Sequence, residues 1–295
     1  MNNSFRISFI IFLSIVAIIM IIYNLGNPYI RANYTSTKFL KKSVNNNKSQ
    51  HIPLHIMMTT YDKSKIPKKV YEMLNKYATV GSKPIPYTIW DDSQCIDFLK
   101  KHYKRKIVNK FSQLTGAHKA DLFRYCYLYI NGGIYMDIKT QLVKPLSDVI
   151  DLSIPNRMYT VLGAGLNNIL LSSMKMNATV ENLNLYNIIY QGLIITPPNN
   201  NIMLILINMC MHTPLYALRI NYLLFVHQMY DVLKYNSKNN TLIPGNNRLG
   251  SIDCYLLEEK LLNHCDIRDR YGHCSAIYDK DNLVCLTRWA DYPWK

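Results

Sequence analysis

The 295-residue sequence has no Gly-X-Y, heptad or solenoid period, which removes the fibrous and repeat classes. It has no run of five or six lysines or arginines and no RNA- or DNA-binding module pattern, so nucleic acid is not expected as a partner. Acidic residues are scarce, 19 against 34 basic ones, a net charge of +15. Because the cations are spread along the chain, they read first as a basic, well-solvated surface, with an anionic membrane surface or a nucleic-acid groove as the alternatives. Zinc-ligand spacing is also missing. Of seven cysteines, Cys254, Cys265, Cys274 and Cys285 follow one another at intervals of 11, 9 and 11 residues, which match no zinc signature. One or two disulfides among them suit a lumenal protein, and the odd total leaves at least one thiol free or intermolecular. His264 and His273 beside them read as surface or packing residues. With 49% hydrophobic residues the chain is neither compositionally disordered nor a bundle of membrane spans.

The first segment is apolar. Residues 7–23 carry no charge, and a helix of this length extends roughly 26 Å, enough to span a thin bilayer. An uncleaved signal-anchor over residues 1–25 is the favoured reading. A cleaved signal peptide competes, but its apolar region is usually only about 7–15 residues long and no A-x-A-like site follows Tyr23. Arg31, Lys38, Lys41 and Lys42 beyond the span would hold the main domain in the cytoplasm by the positive-inside rule. The acceptor-type triplets beginning at Asn33, Asn47, Asn177 and Asn239 point the other way, to a lumenal domain. Residues 26–50 read as a polar stem, and a single domain is expected over 51–295.

The body opens with a short apolar stretch from Ile52 that ends in polar residues, as a buried strand with a functional loop would. Lys68 to Tyr77 has helical spacing, and Tyr87 to Trp90 reads as a second strand. A helix follows, with Asp92 or Ser93 as its cap and Lys100 and Lys101 near its end. Strand alternating with helix is the α/β pattern, in which ligands bind beyond the carboxyl ends of the strands.

The segment from Gly116 to Thr140, GAHKADLFRYCYLYINGGIYMDIKT, is the densest in chemistry. Ala117 to Ile130 suits a helix stopped by Asn131-Gly132-Gly133. Asp121 and Arg124 are one turn apart on it, which is also what a surface ion pair worth at most about 1 kcal/mol would look like. The strand after the turn alternates, with Ile134, Met136 and Ile138 on one face and Tyr135, Asp137 and Lys139 on the other. Asp121, Arg124, Asp137 and Lys139 can thus meet in one cleft, a costly arrangement unless a polar ligand uses them.

KADLFRYCYLYINGGIYMDIKT resembles the DXD-type sugar-binding region of glycosyltransferase family 32, the initiating-mannosyltransferase-like enzymes, whose core is close to K-x-D-x-x-R-Y-x-x-L-Y-x-x-G-G-x-Y-x-D-x-D. Ile52-Pro53, YTIWDDSQCIDFLKKHY and GLIITPPNN fit the same family in the same order, so the resemblance covers roughly Ile52 to Asn200. It implies a GT-A-type nucleotide-sugar-binding fold, a Rossmann-like mixed sheet flanked by helices. It also implies transfer with retention from a donor such as GDP-mannose or a UDP-hexose to a glycan or lipid acceptor. Asp121 and Arg124 would hold donor-sugar hydroxyls, and Tyr135 lies with them on the substrate side. Asp137 would be the first acid of the DXD, and Trp90 and Asp91 a donor-side aromatic-acid pair. Catalysis would rest on stabilising the departing diphosphate.

The match departs from the family at the second DXD acid, which is Lys139. The family's Mn²⁺ or Mg²⁺ is held through carboxylate oxygen, and an ammonium cannot be a ligand. A family histidine near the chain end is also missing, and Arg288 and Trp289 stand in that vicinity. Three explanations follow. Lys139 supplies the positive charge itself, a metal binds through Asp137 and the diphosphate, or catalysis is lost and the domain only binds sugar nucleotides or glycans. The expectation is a membrane-anchored hexosyltransferase, single-pass type II, facing the Golgi or endoplasmic reticulum lumen, with Asp137, Lys139 and Arg124 as its catalytic residues.

Beyond Asn200, residues 202–235 are strongly apolar and read as two helices divided by Pro214, with their Met and aromatic side chains in the core. Asp253 reads as the cap of a helix from Cys254 to Leu262. The tail suggests a last strand and an aromatic terminal segment with Trp289, Tyr292 and Trp294.

Overall fold

The computed structural model describes residues 38–41, 50–148, 150–151, 153–163, 188–261 and 275–287. The apolar segment 7–23, the triplets at Asn33, Asn47 and Asn177, Cys265, Cys274, His264, His273 and the tail from Arg288 lie outside them. Among the described residues no helix is long and apolar enough to cross a membrane. The triplet at Asn239 is exposed, with Asn240 in a left-handed turn at φ 51°.

Short apolar strands buried on both faces form the centre. The strands in chain order are β1 (Ile56–Thr59), β2 (Thr79–Val80), β3 (Lys83–Pro84), β4 (Tyr87–Trp90), β5 (Gly133–Met136) and β6 (Gln141–Leu142), then β7 (Arg157–Gly163), β8 (Ile188–Thr196), β9 (Gly245–Leu249), β10 (Ile252–Leu261), β11 (Ser275–Asp279) and β12 (Asn282–Leu286). All but the β2–β3 hairpin belong to one mixed sheet ordered β4-β1-β5-β8-β7-β10-β11-β12-β6, with β9 also on β10. β4, β1 and β5 are mutually parallel, and β8 runs antiparallel beside β5. β5 and β6 are six steps apart in that order, yet only residues 137–140 separate them in the chain. A flat sheet would need about 29 Å between them, whereas five residue steps reach at most about 18 Å. The sheet therefore curls, and the turn holding Asp137 and Lys139 lies inside the curl.

Alternation along each strand feeds two cores. Met57, Tyr135, Met158, Ile194 and Leu256 face the helix-rich side, while Ile56, Met58, Ile134, Met136, Val161 and Leu257 face the other. The helices are α1 (Lys68–Tyr77), α2 (Asp92–His102), α3 (Arg105–Gln113), α4 (Ala117–Asn131), α5 (Asn201–His212), α6 (Leu215–Ile220) and α7 (Leu224–Asn236). α4 is central. Ten of its residues, from His118 to Tyr129, are buried, including Asp121 and Arg124, so it is packed on nearly every side. Gly132 ends it at φ +63°, and a Cβ there would stand 2.5 Å from the Pro198 nitrogen. The Gly-Gly stop thus also lets the turn after β8 close over the helix end.

Several local expectations change. Residues 252–261 form β10 rather than a helix, because the segment lies between β7 and the β9/β11 edge, with Cys254 and Leu256 in one core and Leu257 in the other. Tertiary pairing overrides the helical reading. Cys254 and Cys285 are buried free thiols in different cores, so they do not pair with each other. The apolar run after Asn200 forms three helices, not two. Pro214 opens α6, and α6 ends at Asn221, whose side chain accepts from Leu223 N at 3.0 Å and restarts the chain. Lys110, in a helix the sequence did not suggest, is buried and donates to the Thr213 carbonyl at the end of α5. The strand carrying Asp137 stops at Met136, so Asp137 and Lys139 sit in a turn. Within the segment expected to be stem, residues 38–41 pack on α2: Leu40 bridges to Tyr103, and Phe39 and Leu40 are buried.

Candidate functional site

The carboxyl ends of β4, β1 and β5 open on one cleft of about 320 Å³, lined by Thr59 at the end of β1 with Thr60 and Tyr61 after it, Asp92 after β4, and Asp137, Ile138 and Lys139 after β5. The first part of α4 closes one wall with Lys119 and Arg124, above a floor of Phe111 and Phe123. Its size falls at the low end for small-molecule sites, and its place is where parallel strands usually present ligands.

Arg124 organises the charges. Its Nη2 lies 3.1 Å from Asp121 and 3.5 Å from Asp137, its Nη1 donates to the Gln191 carbonyl, its Nε donates to Ala120, and its guanidinium lies 4.2 Å from the Tyr135 ring centre. The alternative of a surface ion pair is removed, since Asp121 and Arg124 are 7% and 3% exposed. Burial opposes the charge on Arg124, but Tyr135 and the two aspartates outweigh it and raise its pKa. Asp137 Oδ1 accepts from the Tyr135 hydroxyl at 2.5 Å, and its Oδ2 lies 3.7 Å from Lys139 Nζ. Burial would lift Asp137, yet Arg124, Lys139 and the Tyr135 hydroxyl hold it below the ordinary carboxylate range. Asp121 goes the other way: burial raises it despite Arg124. Of the two aspartates on Arg124, Asp137 is therefore the one held as the carboxylate.

The turn is fixed from below. Gly192 O on β8 accepts from Asp137 N at 2.9 Å and from the Thr140 hydroxyl at 3.3 Å. The Tyr190 hydroxyl meets Thr140 Oγ1 at 3.1 Å and donates to Thr287 O at 3.3 Å.

Of the residues singled out from sequence, Arg124, Tyr135, Asp137 and Lys139 line the cleft, and Asp121 stands behind it on Arg124. Trp90 and Asp91 are not among the lining residues. Trp90 packs 5.6–5.7 Å from Phe98, Phe123 and Tyr127, with its indole N–H buried and unpartnered. Asp91, rather than Asp92 or Ser93, caps α2 through a reciprocal capping box with Gln94. Asp92 faces the cleft instead, paired with Lys119 at 2.5 Å. Lys119 stands two residues before Asp121 in the motif and could have been found there. Tyr222 also lines the cleft, and nothing in its local sequence marks it.

The donor set does not fit a divalent cation. Asp137 is the lone carboxylate of the turn, and both its oxygens face cationic or hydroxyl donors. Among the described residues no three His, Cys, Asp or Glu side chains group as metal ligands would. What the cleft offers instead is three cations each paired with an aspartate, Lys119 with Asp92, and Arg124 and Lys139 with Asp137.

Residues 46–155 match the family model described as a glycosyltransferase sugar-binding region containing a DXD motif. The match takes in α4, β5 and the Asp137 turn, and it supports a glycosyltransferase-type function. No curated protein matches the chain.

Proposed function

We propose that the protein is a retaining hexosyltransferase of the GT-A type, related to family 32, that uses a nucleotide-sugar donor without a bound divalent metal. One observation carries this reading: Lys139 faces the cleft at the position of the second DXD acid, beside Asp137 and at the carboxyl ends of three parallel strands. The anomeric C–O bond of the donor breaks with its electron pair leaving on the diphosphate oxygen. An acceptor hydroxyl oxygen forms the new C–O bond on the same face, and its proton passes to the departing phosphate. The ammonium of Lys139 meets the charge that develops on the diphosphate. Arg124, held by Asp121, fixes Asp137 and the sugar end of the cleft. Asp137, with its depressed pKa, stays ionised and orients both cations.

The donor is GDP-mannose or a UDP-hexose, and the acceptor a glycan or lipid-linked sugar. Residues 7–23 anchor the chain as a single-pass type II protein of the Golgi or endoplasmic reticulum. The uncharged run itself and the exposed triplet at Asn239 support that placement. A thermal-shift panel of GDP-mannose, UDP-glucose and UDP-galactose, each with and without Mn²⁺, tests the reading. One donor should raise the melting temperature equally in both conditions, and no response to any donor would reject it.

A second reading, a sugar-nucleotide-binding protein without catalysis, is favoured by the crowding of Asp137, whose oxygens are already engaged. Release of free sugar from the bound donor separates the two.

A further inference from the structure

Tyr222 is 64% exposed, yet its place at the cleft is fixed. It sits in the short connection between α6 and α7, where Asn221 Oδ1 accepts from Leu223 N. His118, buried on the first turn of α4, donates from Nε2 to the Tyr222 carbonyl at 3.0 Å, and the two rings pack 5.1 Å apart at 53°. His118 also packs edge-on against Phe225 at 5.5 Å, which ties the connection to α7. An exposed aromatic normally gains nothing from being held this way, because solvent-facing side chains are free to sample rotamers.

His118 lies one helical turn before Asp121, and Asp121 holds Arg124. Contacts thus lead from Tyr222 to His118 and, one turn on, from Asp121 through Arg124 to Asp137, with His118 and Asp121 behind the cleft wall. The Tyr222 ring lines the same cleft as Arg124, Asp137 and Lys139, on the α4 side. One face of a pyranose carries several C–H bonds and behaves as an apolar plate, while its hydroxyls stay in water at the rim. An exposed tyrosine ring with a hydroxyl at its edge matches such a plate.

We infer that Tyr222 is an acceptor subsite, a stacking platform for the pyranose ring of a hexoside whose hydroxyl then points toward Asp137 and Lys139. This rests on the glycosyl-transfer reading above and adds the acceptor side to it. The platform binds the neutral sugar, and the Lys139 side of the cleft binds the charged donor.

The test is saturation-transfer NMR on the full chain, kept in a non-glycosidic detergent. Methyl α-D-mannopyranoside and methyl β-D-galactopyranoside serve as probes, and GDP-mannose and UDP-glucose are run in parallel. One glycoside should receive saturation on the protons of one ring face. That signal should weaken about tenfold in Tyr222→Ala and stay within about twofold in Tyr222→Phe, while donor uptake is unchanged. Equal glycoside binding in Tyr222→Ala overturns the inference, as does a wild type that takes up donor but neither glycoside. Loss of donor uptake in Tyr222→Ala also overturns it, since the ring would then be stacking the nucleobase. A wild type that binds neither donor nor glycoside would overturn the glycosyl-transfer reading itself.

Discussion

The ammonium of Lys139 stands 3.7 Å from Asp137 Oδ2, so the residue two places after Asp137 carries a cation that neutralises it. In water such a contact is worth little, but Asp137 is only 19% exposed and shares a wall with Arg124. On the metal-free reading proposed above, that fixed positive charge takes the part a metal between two acids would play.

Lys139→Ala is expected to lower transfer or donor hydrolysis by about 10²–10³-fold, the usual loss when one preorganised stabiliser of a developing charge is removed. Excess EDTA should leave the wild type unchanged. Lys139→Asp restores the two-acid pattern and should make activity depend on added Mn²⁺. Steady-state rates with and without chelator check all three, and abolition of wild-type activity by EDTA with recovery on Mn²⁺ addition would falsify the metal-free reading.

Removing Arg124 leaves the buried Asp121 and the part-buried Asp137 without their shared counter-charge, and breaking a buried pair costs about 3–5 kcal/mol. Arg124→Ala should therefore melt far below wild type. Asp121→Asn keeps the shape, and one partner of Arg124 becomes neutral. It should stay folded by circular dichroism and lose donor affinity in calorimetry. Unchanged affinity in folded Asp121→Asn would remove Asp121 from the sugar end of the site.

Acid should find Asp137. Its folded pKa lies below the ordinary 3.8, so it contributes stability that is present above that value and is lost as pH falls through the folded pKa. Asp121 has the opposite sign: its raised pKa favours the folded state at low pH, and that contribution is lost as pH rises through it. Thermal unfolding of wild type and Asp137→Asn from pH 7 down to about 3 should show the gap between them narrowing only at the acid end. A gap that stays constant would mean Asp137 is not held low.

Gly192 has no room for a side chain. A Cβ there would stand 2.3 Å from the Tyr190 ring and hydroxyl, and the same residue's carbonyl carries the Asp137 turn. Gly192→Ala should destabilise by about 1–3 kcal/mol through overpacking. It should also lower kcat, because the turn bearing Lys139 shifts. Tyr190→Phe removes only the hydroxyl contacts to Thr140 and Thr287 and should cost about 1 kcal/mol. Denaturant unfolding alongside kcat separates the two effects.

The amino-acid sequence carried the local signals. It marked α1 and β4 at their observed bounds, the Gly-Gly stop after α4, and the alternation that puts Tyr135 and Asp137 on one face. Each depends only on spacing and turn chemistry within a few residues. The residues of the site were legible as a motif for the same reason. Tertiary structure decided what those residues face. Residues 252–261 became a strand because β7 and β11 offered pairing on both edges, a contact no local window contains. Asp121 and Arg124 became a buried pair, not a surface one, because α4 is packed on nearly every side. Asp91 became a cap and Asp92 a cleft residue, one position apart, because the exit from β4 points successive side chains in different directions. Tyr222, about a hundred residues from His118, joined the site only through the fold. Periodicity and turns are written in neighbouring residues, whereas the partners that set burial, charge and access come from distant parts of the chain.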